Sequence, residues 1–285
     1  MKKLLLIFSI PILLLTSCDK KITELNVLSF NIRMDTPVDS MNSWQYRKDV
    51  AAQIIKDQNA DIVGTQEVLI HQLNDLKSRL PEYNAIGVGR FDGKEKGEFC
   101  AILYKKDRFE EMESGNFWLS ETPEVPGVKG WDAACERVAT WAILKDKETK
   151  EEFFFVNTHL DHVGKVARVE GVKLLLERAK TYGKGLPAIL TGDFNATPDT
   201  DVIKHVVDQS NPDHLIHTKE VAETIKTDGG TFHNYGKVPL EKRSLIDYIF
   251  VSPGIKVKQY DVLPEKLNDI YISDHSIVSS LVQLP

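Results

Sequence analysis

The sequence predicts an α/β fold in which two β-sheets pack face to face beneath outer helices. Short apolar runs rich in β-branched and aromatic residues alternate with longer segments whose apolar residues recur at helical spacing. Many of the short runs are apolar at nearly every position, so both faces of those strands need cover. No linker interrupts the alternation, which predicts one domain over residues 24–285.

The strands follow in order. ELNVLSFNI at 24–32, DIVGTQ at 61–66, NAIGVGR at 84–90, FCAILYK at 99–105 and TWAILKD at 140–146 come first. EFFFVNTHL at 152–160, PAILTGDF at 187–194, LIDYIFVS at 245–252, VKQYDVL at 257–263 and SIVSSLVQL at 276–284 complete the set. Each is bounded by Gly, Asn, Asp or Pro. Helices are predicted at 45–57 (Val50, Ile54, Ile55), 71–80 (Leu73, Leu76, Leu80), 166–182 (Val169, Val172, Leu176, Ala179) and 200–207. The Pro/Gly-rich stretch at 122–131 lies between Trp118 and Trp131 and reads as an ordered loop.

Residues 1–17 stand apart. Lys2 and Lys3 precede an apolar run broken by Pro11, too short to span a bilayer and suited to an export signal. The run ends in Leu15-Thr16-Ser17-Cys18, which resembles a bacterial lipobox. That resemblance implies a signal peptide at 1–17, a lipidated Cys18 and a tether at 18–23. The mature chain would then be exported and held on a bacterial membrane, on its periplasmic face or at the cell surface. The alternative is a plain secretory peptide with a chance cysteine.

Removing residues 1–17 takes two lysines with it and moves the formal charge from −6 to −8. Proteins that grip duplex nucleic acid usually show a basic face. Here basic and acidic residues are interleaved, which favours a small substrate over nucleic acid; the chain is expected to be a monomer. After Cys18, only Cys100 and Cys135 remain, too few for a disulfide framework.

Seven segments end their apolar runs in residues suited to phosphate and magnesium chemistry: Asn31, Glu67, Glu98, His159, Asp193 with Asn195, Asp247, and Asp274 with His275. Hydrolysis of a phosphate ester needs a cation on the non-bridging oxygens and an oriented water. Hard oxygen donors suit Mg²⁺, which uses few carboxylates. Glu67 is the best candidate for the main ligand, with Asn31 and Asp274 as neighbours; alone, Glu67 would pass as a solvated glutamate at a helix start. Asp193 and Asn195 are two apart, so on an extended strand end they face one side.

Taken together and in this order, the segments resemble the endonuclease/exonuclease/phosphatase superfamily. The resemblance implies a four-layer α/β sandwich of two packed mixed sheets flanked by helices, and a Mg²⁺-dependent phosphoric ester hydrolase, with Mn²⁺ as a substitute. It further implies that Asp193 orients the nucleophile and Asn195 binds phosphate. Glu98 would partner His159, and Asp247 would partner His275. Arg137, Arg168 and His233 are weaker substrate candidates, and salt bridges are the plainer role for both arginines. His162, three residues beyond His159, reads as a loop histidine. Competing functions are an exported nuclease that scavenges nucleic acid and a non-catalytic binding lipoprotein. The intact catalytic residues weigh against the last.

Overall fold

The computed structural model describes residues 21–285; the expected signal peptide and Cys18 lie outside the described residues. In chain order the first half comprises β1 (Glu24–Asn31), α1 (Trp44–Asp57), β2 (Ile62–Gln66), α2 (Ile70–Arg79), β3 (Tyr83–Ile86), β4 (Ile102–Lys105) and β5 (Phe109–Trp118). There follow β6 (Val138–Asp146), β7 (Glu152–His159), α3 (Lys165–Gly183), β8 (Ala188–Asp193), α4 (Asp201–Val207), β9 (Ile216–His217), α5 (Thr218–Val221) and β10 (Thr224–Ile225). The chain ends with β11 (Asp247–Val251), β12 (Lys256–Val262), β13 (Lys266–Leu267), β14 (Ile270–Tyr271) and β15 (Val278–Gln283).

One sheet has seven strands in the order β10-β12-β15-β1-β2-β4-β3, and the other has six in the order β5-β6-β7-β8-β11-β9. Both are mixed: β1–β2 and β7–β8 run parallel, whereas β2–β4, β6–β7 and β8–β11 run antiparallel. Leu25, Val27, Ile62, Phe155, Ile189 and Ile249 meet between the sheets. On the outer face of the first sheet, Leu28, Phe30 and Val63 pack under Val50, Ile54 and Ile55 of α1 and Leu73 and Leu76 of α2. On the outer face of the second, Trp141, Phe154 and Leu190 pack under Val172, Leu175 and Leu176 of α3 and Val202 and Ile203 of α4. The central strands β1, β2, β7, β8 and β11 are thus covered on both faces, the requirement that their apolar runs expressed. The result is the expected four-layer sandwich.

Two departures from expectation have physical causes. The ten-residue β5 was not anticipated. It is the edge strand beside β6, and Glu110, Glu111, Met112 and Glu113 face solvent, so it lacks an apolar run. Residues 87–90 and 99–101, expected to prolong β3 and β4, instead leave the ladder, and the chain between them turns at Gly93 and Gly97, both in the left-handed region (φ 67° and 85°).

A polar layer lies between the sheets at the end that carries the functional residues. Gln66 Nε2 donates to Asn157 Oδ1 (2.7 Å), and Asn157 Nδ2 donates to the carbonyls of Thr65 and Ala101 (2.8 and 3.1 Å). Thr191 Oγ1 donates to the same Asn157 oxygen (3.0 Å). These bonds fix the last residues of β2, β7 and β8 to one another before each chain turns into the site.

Candidate active site

Strand register brings the site together. His159 pairs with Asp193 across β7–β8, and Asp193 pairs with Asp247 across β8–β11, so the three lie in one row at adjacent strand ends. Asn31 ends β1, and Glu67 follows β2 with φ 61°, an uncommon conformation for glutamate that turns the chain directly out of the strand. Asp274 and His275 arrive from the segment before β15. Together with Arg33, Arg90, Glu98, Arg137, His162 and Asn195 these residues line a cleft of about 640 Å³, except Asn31 and Asp247, which stand behind it.

Asn31 Nδ2 lies 3.0 Å from both Glu67 Oε1 and Asp193 Oδ2. Glu67 Oε2 also accepts from the backbone N–H of Met34 (3.1 Å). Asp193 Oδ1 accepts from the N–H of Asn195 (2.9 Å), and its Oδ2 sits 3.5 Å from His159 Nε2 and 3.9 Å from His275 Nε2. Asn195 has φ 46°, and its Nδ2 donates to His159 Nε2 (3.0 Å) and the Leu160 carbonyl (3.1 Å).

The electrostatics divide the two histidines. Burial pushes His159 well below its ordinary value, and Arg137 and Arg90 push it further, so the ring is neutral. Burial acts on His275 in the same direction, but Asp247, Asp274 and Asp193 together outweigh it and hold the ring well above its ordinary value. Burial and the neighbouring Asp247 raise Asp193 to about 7. Glu67 is lowered: burial opposes ionisation, but His275 and the bonds from Asn31 and Met34 overcome it.

The residues fit a hard divalent cation. Glu67, His159 and Asp193 each offer a donor atom within 4.8 Å of the others, as do Asp193, Asp247 and His275. Three carboxylates converge there; burial first, and then the adjacent Asp247, raises Asp193, and a cation would offset both. Asp274 shares the cleft, with Oδ2 3.7 Å from Arg33 Nε, but lies outside both groups of converging donors.

Three expectations need correction. The expected Glu98–His159 hydrogen bond is not made: the nearest atoms are 4.0 Å apart, and the His159 Nδ1 has no partner. Glu98 is instead gripped by Arg90 (2.6 and 2.8 Å), whose planar fork matches both carboxylate oxygens. Arg168 does not line the cleft; its Nη1 donates to the Asp161 carbonyl (2.8 Å) and ties down the loop before α3. His233 is fully buried behind the wall, with Nδ1 3.3 Å from Glu265, and its neighbours Phe232 and Asn234 reach the cleft in its place. Conversely, His162 does line the cleft, with Nδ1 3.0 Å from Arg137 Nη2. Arg33, Arg90 and Cys135 also line it and were not singled out; the one signal was that Arg33 stands two residues after Asn31. Among the described residues, Cys100 and Cys135 are free thiols.

Two face-packed sheets with carboxylates, amides and histidines at one strand end define a phosphoester hydrolase of the metal-dependent kind. The chain belongs to the Endonuclease/Exonuclease/phosphatase family, whose sequence profile matches residues 28–275. It is 42% identical to a family member of known structure from Bacteroides vulgatus (TM-score 0.89, covering 92% of this chain and 100% of that one). It is 43% identical to a mannosyl-6-phosphatase from Bacteroides thetaiotaomicron (TM-score 0.83, covering 90% and 99%). It is also 27% identical over 237 residues to Protein angel of Drosophila melanogaster, but spans only 62% of that protein's length.

Proposed function

We propose that the chain is a Mg²⁺-dependent hydrolase of phosphate esters on small or glycan-borne substrates, with Mn²⁺ as a substitute cation. The observation that carries this reading is the convergence of Glu67, His159 and Asp193 at the floor of a cleft whose wall carries Arg33, Arg90 and Arg137. The resemblance to a mannosyl-6-phosphatase favours a sugar phosphate as the substrate class.

Glu67 would hold the cation, assisted by Asn31 and Asp274. When bound, the cation would supply positive charge to the non-bridging phosphate oxygens and make a bound water more acidic. Asp193, kept near neutrality in its pKa, is suited to orient a water and accept its proton. Asn195 would turn one of its two amide N–H groups, now held by His159 Nε2 and the Leu160 carbonyl, toward a phosphate oxygen. His275 carries its proton on Nε2 as well as Nδ1, and so offers a donor toward the developing charge. Neutral His159 lies on the opposite side of Asp193 and fixes Asn195.

The mature protein is proposed to be exported and anchored through a lipid on Cys18, to act as a monomer, and to disfavour nucleic acid. A panel of sugar phosphates, phosphodiesters, nucleotides, lipid phosphates and plasmid DNA should be assayed with Mg²⁺ at one salt concentration. Sugar phosphates should give the highest specificity constant, and Asp193→Asn should lower turnover on the order of a hundredfold or more. Efficient, salt-sensitive cleavage of duplex DNA would establish a nuclease instead. Retained turnover in Asp193→Asn would remove that residue from the reaction.

A further inference from the structure

Three arginines line the cleft, and they are not equivalent. Arg33 closes its fork on Asp39 (3.0 and 3.1 Å), and Arg90 closes its fork on Glu98. Arg137 has no such partner. Its nearest carboxylate contact, Nε to Asp161 Oδ2, is 3.4 Å, long for a charge-assisted bond. Asp161 is occupied elsewhere: Oδ1 accepts the N–H groups of Val163 (2.9 Å) and Gly164 (2.7 Å), and Oδ2 accepts that of Cys135 (3.3 Å). Arg137 is only 4% exposed, and its Nη1 has no hydrogen-bond partner among the described residues. An unanswered guanidinium N–H in a buried position carries a desolvation cost that a ligand would remove.

The remaining nitrogen fixes the state of His162. Arg137 Nη2 can only donate, so His162 Nδ1, 3.0 Å away, must accept. The ring proton of neutral His162 therefore sits on Nε2, and this exposed imidazole lines the same cleft. Arg137 and His162 thus form one unit with two donors to give, beside the carboxylate cluster but not part of it.

We infer that Arg137 and His162 form an anion subsite that recognises the peripheral oxygens of a terminal phosphate, and so select phosphomonoesters over phosphodiesters. The inference rests on the proposed hydrolysis of phosphate esters. A monoester presents three non-bridging oxygens and up to two charges, whereas a diester presents two oxygens and one charge. With the cation and Asn195 taking part of that surface, the added oxygen and charge of the monoester are what a planar donor fork and an imidazole N–H can read.

The test uses His162→Gln, an exposed position, and Arg137→Lys, which keeps a charge opposite Asp161 but removes the fork. The specificity constants for 4-nitrophenyl phosphate and bis(4-nitrophenyl) phosphate are compared at fixed Mg²⁺ and salt, and inorganic phosphate is titrated calorimetrically with and without Mg²⁺. The monoester-to-diester ratio should fall about 10- to 100-fold in each variant, the range expected for a lost hydrogen bond to a charged group, with a parallel weakening of phosphate binding. A wild-type ratio and phosphate affinity in His162→Gln, or equal losses on both esters, would overturn the inference. If the wild-type protein hydrolyses neither ester, the functional reading fails. The phosphate titration then decides independently on Arg137 and His162.

Discussion

Asp247 Oδ2 lies 2.8 Å from His275 Nδ1, and this contact keeps a buried imidazole charged. Burial alone would drive the ring neutral; Asp247, followed by Asp274 and Asp193, reverses the outcome. His159 has the opposite balance, because Glu98 stands off at 4.0 Å while Arg137 and Arg90 press on it. One cleft therefore holds one charged and one neutral histidine, which separates a donor to developing negative charge from a neutral positioning group.

Asp247→Asn tests this balance. The amide can still hydrogen-bond but carries no charge, so His275 should lose its proton at lower pH. Turnover should fall on the order of a hundredfold, and the basic limb of the pH–rate profile should move toward acid. The sign follows from the raised folded value: what the imidazolium contributes is present at low pH and is lost as pH rises through its folded pKa. An unshifted basic limb would show that His275 does not set it.

Glu67→Gln should weaken Mg²⁺ and Mn²⁺ binding by tenfold or more while the fold survives, because, despite burial, His275 and the bonds from Asn31 and Met34 hold this carboxylate below its ordinary value. Calorimetric titration of both metals into the variant measures this directly. An unchanged Mg²⁺ affinity would remove Glu67 from the metal site.

Gly64 sits in β2 where the two sheets approach. A Cβ built there would fall 2.0 Å from Thr191 Oγ1 and 2.6 Å from Asn157 Oδ1, the groups that tie β7 and β8 to Gln66. Gly64→Ala should destabilise the fold by about 1–3 kcal/mol, as overpacking typically does. It should also lower activity, since Glu67 is three residues further along. A melting temperature equal to that of the wild type would mean that the polar layer relaxes freely.

The catalytic row was legible because each member stands at one end of an apolar run, His159 and Asp193 closing theirs and Asp247 opening its own, and strand ends are where a sheet presents side chains to a common cleft. The pairings around it were not. Glu98 meets Arg90 only because Gly93 and Gly97 fold the chain back, a turn that the apolar run from Phe99 concealed. His162 was read as a loop histidine from its spacing to His159. Its importance depends on Arg137, 25 residues earlier, and no local pattern records that contact. The edge strand β5 escaped because its exposed glutamates interrupt the hydrophobic signal on which strand assignment rests.

The last prediction concerns a histidine remote from the chemistry. His217 is buried among the rings of Tyr248, Phe250 and Tyr260, with centroids 5.1, 5.5 and 5.8 Å away, and its Nε2 has no partner. Burial depresses its pKa to about 3. In the unfolded chain the ring returns to about 6.5. Above that pH it is neutral in both states and costs nothing. As pH falls from 6.5 toward 3, the unfolded chain takes up a proton that the folded protein refuses, so stability declines. His159 and His233 act in the same direction, the latter because burial depresses it to about 4, so the wild-type slope contains more than one proton. His217→Phe keeps an aromatic ring in the cluster and removes one titrating group. Urea denaturation in chelator at pH 8 and pH 5 should therefore show the variant losing about 2 kcal/mol less than the wild type between the two. Parallel losses in both proteins would mean that His217 is protonated or solvated in the folded state.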